Sequence, residues 1–201
     1  MSIKPILFNT KMVRAILDGR KSCTRRIVKD GIPDDAMWGY TAFTPKGYIS
    51  CRGVYADGYG EGFYKLPYQP GDILYVRETW SEWTDGYLYK AWNSPFPQAG
   101  ESPVMKWHPS IHMPKEAARI WLKVTNVRVE RLQDITADDI RSEGLSSIAV
   151  HAGNMEIALK EWKKLWNSTI KKSDLDRYGW DANPYVLVIE FERCEKPKGE
   201  D

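Results

Sequence analysis

From residue 38 to residue 132 the chain is a succession of turns and short alternating runs, with no amphipathic helix pattern among them. A doubly wound parallel sheet needs a helix after nearly every strand, so that architecture is excluded. Helix patterns lie on either side. Asn9 or Thr10 caps a short helix over about residues 10–18, where Met12, Val13, Ile16 and Leu17 recur at helical spacing before the stop at Gly19. Further on, "TADDIRSEG" predicts a short helix capped by Thr136 and closed by Gly144. "NMEIALKEWKKLWNSTI" predicts a longer one with Ile157, Leu159, Trp162, Leu165 and Trp166 on or near its buried stripe. "YVLVIEFER" supplies a final strand. The order predicts an α+β fold, a small, strongly curved mixed β-barrel flanked by helices and carrying loop insertions.

Within the central stretch, residues 38–69 are rich in Gly and Tyr and are expected to form hairpins and loops, with strand pieces near 41–43, 47–51 and 62–66. "YQPGD" has the Pro-Gly order of a type II turn and launches "ILYVRETW". A strand over residues 73–80 places Leu74, Val76, Glu78 and Trp80 on one face, so an acid shares a face with apolar residues. Another strand is expected over residues 87–92. Residues 93–118 hold five of the twelve prolines and are expected to form a second insertion. In "RIWLKVTNVRVERL" the apolar phase moves from Ile120, Leu122 and Val124 to Val127 and Val129, which predicts a bulge near Asn126.

At 201 residues and 42% hydrophobic content, the chain is expected to form a single domain over residues 1–195, with a charged tail at 196–201. No run approaches membrane-span length, and "MSIKPILFNTKM" lacks the features of a signal peptide, so a cytoplasmic location is expected. Cys23, Cys51 and Cys194 are odd in number and far apart, which predicts free thiols. The net charge of +2 conceals an asymmetry: residues 1–30 hold eight Lys or Arg against Asp18 and Asp30, a balance of +6 that leaves −4 for the remainder. Such a segment suits an anionic partner, and equally a solvated basic face.

Nucleotide-hydrolysis, dinucleotide and serine-hydrolase motifs are absent. So is the zinc signature of nucleobase deaminases, and no two cysteines are close enough for a metal knuckle. His108 and His112 are four apart but bounded by prolines, which argues against a helical metal site. No metal or cofactor is called for.

What remains is "GRKSCTRR", which fits Gly-x-Lys-x-x-Thr-x-Arg at Gly19, Lys21, Thr24 and Arg26, followed some fifty residues later by "PGDILYVRETW". Together with "KWHPSIHMPKEAARIWLKVTNVRVERLQDIT" and "WDANPYVLVIEFE", these segments resemble the ASCH domain, a β-barrel module of the PUA-like superfamily, in a phage or prophage form. The resemblance implies a nucleoside or RNA ligand. It is similar to bacterial amidohydrolases that remove the acyl group of N4-acetylcytidine, and on that likeness Lys21, Thr24 and Glu78 would be catalytic. The alternatives are an RNA- or modified-nucleotide-binding module without catalysis and a metal-free ribonuclease.

Amide hydrolysis on these residues has two forms. In one, Thr24 attacks after a neutral Lys21 takes its proton; in the other, Glu78 activates water while Lys21 and Thr24 stabilise the oxyanion. Arg25 and Arg26 would contact phosphate or cap the site, with surface charge as the plain alternative for Arg25. Trp80 would stack on a base or fill the core, and His112 would touch substrate or simply lie in a loop.

Overall fold

A computed structural model describes residues 2–29, 31–84, 86–91, 106–145 and 154–197. Its main sheet has five strands in the order β1 (Ile3–Leu7), β6 (Ile73–Arg77), β9 (Trp121–Arg131), β10 (Tyr185–Cys194) and β2 (Cys23–Ile27). β1 and β6 run parallel; the other neighbours are antiparallel. Three further strands, β3 (Met37–Gly39), β4 (Tyr48–Tyr55) and β5 (Gly58–Lys65), make a separate sheet, and β7 (Trp80–Trp83) with β8 (Gly86–Tyr89) makes a hairpin. The helices are α1 (Thr10–Leu17), α2 (Ala137–Ser142) and α3 (Met155–Thr169), with shorter turns elsewhere. The class is α+β, as the order of signals implied.

β10 shows why its sequence reads as a nearly continuous apolar run. Leu187, Ile189 and Phe191 enter the main core with Phe8, Leu74, Val76, Leu122 and Val124. Val186 and Val188 face the other way, onto Ile140 of α2 and Ala158, Trp162 and Trp166 of α3. A strand buried on both faces needs apolar residues at successive positions. Ile157, assigned to the helix stripe from sequence, is 45% exposed; the helix buries Ala158 in its place.

The bulge lies where the phase slips. Glu190 pairs with Asn126 and Phe191 with Val124, which leaves Thr125 as the extra residue. The type II turn is also present, with Gly71 at φ +88° and the Asp72 N–H donating to the Gln69 carbonyl at 3.0 Å.

The strand expected over residues 73–80 divides after Arg77. Its neighbours change there: the Val76 N–H still donates to the Ile120 carbonyl, but the Trp80 backbone exchanges bonds with His108. Glu78 stands at the switch, its N–H directed at Met113 Sδ. In the Gly/Tyr-rich region the strand expected at 41–43 is a turn, with β3 just before it, and the other two strands are longer than expected because β4 and β5 pair along eight residues each. Trp92 and residues 93–105 of the second insertion lie outside the described residues, as does the tail beyond 197.

Among the described residues no ladder joins β1 to β2, so the sheet retains two edges and is not a closed barrel. Arg26 on β2 donates from Nη2 to the Leu7 carbonyl on β1 at 3.0 Å, across what would be the full width of a flat sheet. Among the described residues no helix is long and apolar enough to cross a membrane.

Candidate functional site

The helix α1 starts on the Asn9 side chain, which accepts from the Met12 N–H, and ends with Gly19 at φ +72°. The N–H groups of Arg20 and Lys21 both donate to the Ala15 carbonyl, turning the chain directly towards β2. The Ser22 N–H then donates to the Ser142 carbonyl, and the Phe191 N–H donates to the Ser22 carbonyl. Thus the end of α2 and strand β10 hold the motif loop from either side. Gly144 permits the approach: its φ is +86°, and a Cβ there would lie 2.7 Å from the Ala15 Cβ and 2.9 Å from the Lys21 Cβ.

Lys21 is fully buried, and its partner is Glu143 rather than Glu78. Nζ donates to Glu143 Oε2 at 2.6 Å, to the Cys23 carbonyl at 2.7 Å and to the Glu143 carbonyl at 3.1 Å. Three donated bonds require three protons, so the nitrogen that makes them is an ammonium without a lone pair to accept another. The other Glu143 oxygen receives Arg25 Nη1 at 3.2 Å. Arg25 also holds Glu130 at 2.7 Å and Asp139 at 3.1 Å, and its guanidinium lies 6.0 Å from the Trp162 ring centre. Arg128 extends the cluster to Glu130, Asp139 and Glu190. Arg25 is therefore a buried structural hub, not surface charge.

The electrostatics follow from this crowding. Burial works to lift the Asp139 carboxyl, but bonds from Thr136 and the Arg25 charge outweigh it and hold the group down at about 2. Burial works to lower Arg25, yet Glu143 and Glu130 raise it further above the ordinary arginine range. Burial, reinforced by Glu143, pushes the Cys23 thiol up to about 12, which leaves it a poor nucleophile.

Alternation along β2 sends Thr24 and Arg26 to the face opposite Cys23 and Arg25. Thr24 is buried, and its Oγ1 accepts from Arg26 Nη1 at 3.1 Å. The Arg26 guanidinium and the Lys21 ammonium lie 5.5 and 5.6 Å from the Phe8 ring centre. Desolvation lowers Arg26 from the usual arginine range.

Glu78 is 1% exposed, buried as expected, although it stands beyond the end of β6. Its carboxylate takes a two-point clasp from Arg119, Nε at 2.9 Å and Nη2 at 3.1 Å, and the guanidinium is stacked 4.2 Å from the Tyr89 ring centre. No ion pair joins Glu78 to Lys21. Phe8 lies between the motif and the strand that leads to Glu78: its ring faces Lys21 and Arg26, and its N–H donates to the Arg77 carbonyl. Trp80 fills a small core with Met113 and Ala117 against Tyr87 and His108, its Nε1 having no hydrogen-bond partner among the described residues. His112 is exposed, in a single turn over Ser110–His112.

The structure thus unites Lys21 with Arg25 through Glu143, and Thr24 with Arg26, while Glu78 belongs to a separate pair. Glu143 and Arg119 were not singled out from the sequence. Glu143 reads as one more polar residue at a helix end, and Arg119 as the charged start of a strand. Their roles come from packing across long separations. Among the described residues no group of three or more His, Cys, Asp or Glu side chains is placed to hold a metal ion.

Beside the buried cluster is an open cleft of about 310 Å³ between α1 and the end of α2. Lys11, Arg14 and Arg20 line it, over an apolar floor that includes Met12 and Leu165. The acid in its lining is Glu143, already neutralised by Lys21 and Arg25.

No protein-family model matches the chain, and no curated protein matches it. Among solved structures, the chain is similar to an ASCH domain from Lactobacillus crispatus JV V101, with 13% identity over 96% of this chain and 79% of the other, at a TM-score of 0.40.

Proposed function

We propose that the protein is an ASCH-type module that binds RNA or a modified nucleotide without hydrolysing it. The observation that carries this reading is the saturation of Lys21: its ammonium donates to Glu143 and to two carbonyls, and all of them are buried. A general base needs an accessible lone pair, and an oxyanion donor needs a free N–H. Lys21 offers neither. Glu78, clasped at both oxygens by Arg119, is likewise occupied as a base. The motif residues instead fix the loop that presents a basic cleft, in agreement with the +6 balance of residues 1–30. The approach of the two sheet edges through Arg26 supports a barrel-like module of the ASCH kind.

One observation favours the amidohydrolase. Arg26 donates to Thr24 Oγ1, and a guanidinium at that distance would stabilise the hydroxyl's conjugate base. Two measurements on the full chain separate these readings. Incubation with N4-acetylcytidine is expected to leave its absorbance unchanged, whereas a short single-stranded oligoribonucleotide is expected to bind with an affinity that falls as salt rises, by a log–log slope of about −0.7 per phosphate neutralised. Turnover by the wild type that Thr24→Val abolishes would overturn the proposal in favour of the hydrolase.

A further inference from the structure

The cleft between α1 and the end of α2 has features that the motif residues do not explain. Three cations line it: Lys11 and Arg14 are in no ion pair among the described residues, and Arg20 is paired with Asp18. Lys11 is exposed and has no partner among the described residues. Among the described residues the Arg14 side chain hydrogen-bonds only the Lys90 carbonyl, at 3.5 Å, the outer limit of a hydrogen bond. Arg20 donates from Nη1 to the Gly144 carbonyl at 2.7 Å and from Nη2 to Asp18 at 2.8 Å, which fixes the guanidinium at the rim and leaves its remaining N–H groups open. The acid in the lining, Glu143, is matched on both oxygens by Lys21 and Arg25 and subtracts nothing from this field. Below the rim, Met12 and Leu165 form an apolar floor. A volume of about 310 Å³ lies at the small end for ligand pockets, enough for one nucleotide and too small for a duplex.

We propose that this cleft is a phosphate-reading subsite that takes a single nucleotide, its phosphate held by Lys11, Arg14 and Arg20 and its base or sugar laid on the apolar floor. The inference rests on the RNA-binding reading above and gives that reading a place and a chemistry. Arg20 is the orienting member, because its backbone anchor fixes the direction of the fork. Lys11 and Arg14, one helical step apart on α1, supply charge that follows the phosphate.

The test is calorimetric titration of the full chain with cytidine 5′-monophosphate, cytidine and inorganic phosphate, in the wild type and in Lys11→Glu/Arg14→Glu. Both side chains are exposed, so the double variant is expected to melt with the wild type. The nucleotide is expected to bind at least about tenfold more tightly than the nucleoside, and the charge reversal to weaken it by at least about tenfold. Equal affinity for nucleotide and nucleoside, or an unchanged affinity in the variant, overturns the subsite. Parallel titration with the oligoribonucleotide separates the two proposals. RNA binding that the variant keeps in full overturns the cleft alone. Nucleotide binding lost in the variant, in a protein that never binds RNA, supports the cleft and overturns the RNA reading.

Discussion

On the proposed reading, Lys21 is a structural residue rather than a catalytic one. Its charge is removed from water and compensated at Glu143, so truncation does not simply delete a function; it leaves a buried carboxylate with Arg25 as its remaining cation. Breaking such a pair from one side costs about 3–5 kcal/mol. Lys21→Ala is therefore expected to lower the urea midpoint strongly. Lys21→Ala/Glu143→Ala should lose less than the two single variants combined, since the second change removes the orphaned charge. If the double variant loses the sum, the two residues are not coupled and the clamp is misassigned. Activity lost in Lys21→Ala alone therefore says little about chemistry.

At the scale of elements, α2 is the piece that holds the motif loop, and two of its features can be tested. Asp139 caps the helix through a reciprocal box with Thr136 and also binds Arg25 and Arg128. Its carboxyl is held near 2 in the folded protein against an ordinary value of 3.8, so its contribution is complete above the unfolded value and is lost as pH falls from about 4 towards 2. Asp139→Asn should flatten the stability profile over that interval; an unchanged profile in thermal melts would remove Asp139 from the clamp. Gly144 ends the same helix in the left-handed region and lies against Ala15 and Lys21. Gly144→Ala combines backbone strain with a backbone-level clash and should cost about 2–4 kcal/mol, read from the denaturation midpoint.

These elements also mark the boundary of what was legible beforehand. Local and periodic information sufficed for the cap at Thr136, the turn at Gly71, the bulge beside Asn126 and the burial of Glu78, and narrowed the first cap to Asn9 or Thr10, of which Asn9 serves. Each depends on a few neighbouring residues. The partner of Glu78 could not be read, because Arg119 is 41 residues away and looks like any strand-opening cation. Lys21 and Glu143 are 122 residues apart, and no spacing rule links them. The division of the 73–80 strand was hidden for a related reason: alternation continues through Glu78 while the neighbouring chain changes.

Over the whole molecule, the pairing order carries a kinetic consequence. β2 is formed by residues 23–27, but the strand it lies against, β10, is residues 185–194, and the loop ahead of it is clamped by Glu143. β2 and the loop ahead of it therefore cannot reach these contacts until β10 has been made, whereas β1 of the same basic segment pairs with β6 at residues 73–77. Closing so long a loop is entropically costly, and folds dominated by such distant pairings assemble slowly. During synthesis the eight cations of residues 1–30 would leave the ribosome well before the acids that bury two of them, exposed as a flexible polycation beside a surface made of RNA. A chaperone or a bound nucleic acid that shields this segment would affect the yield of folded protein, independently of what the finished cleft binds.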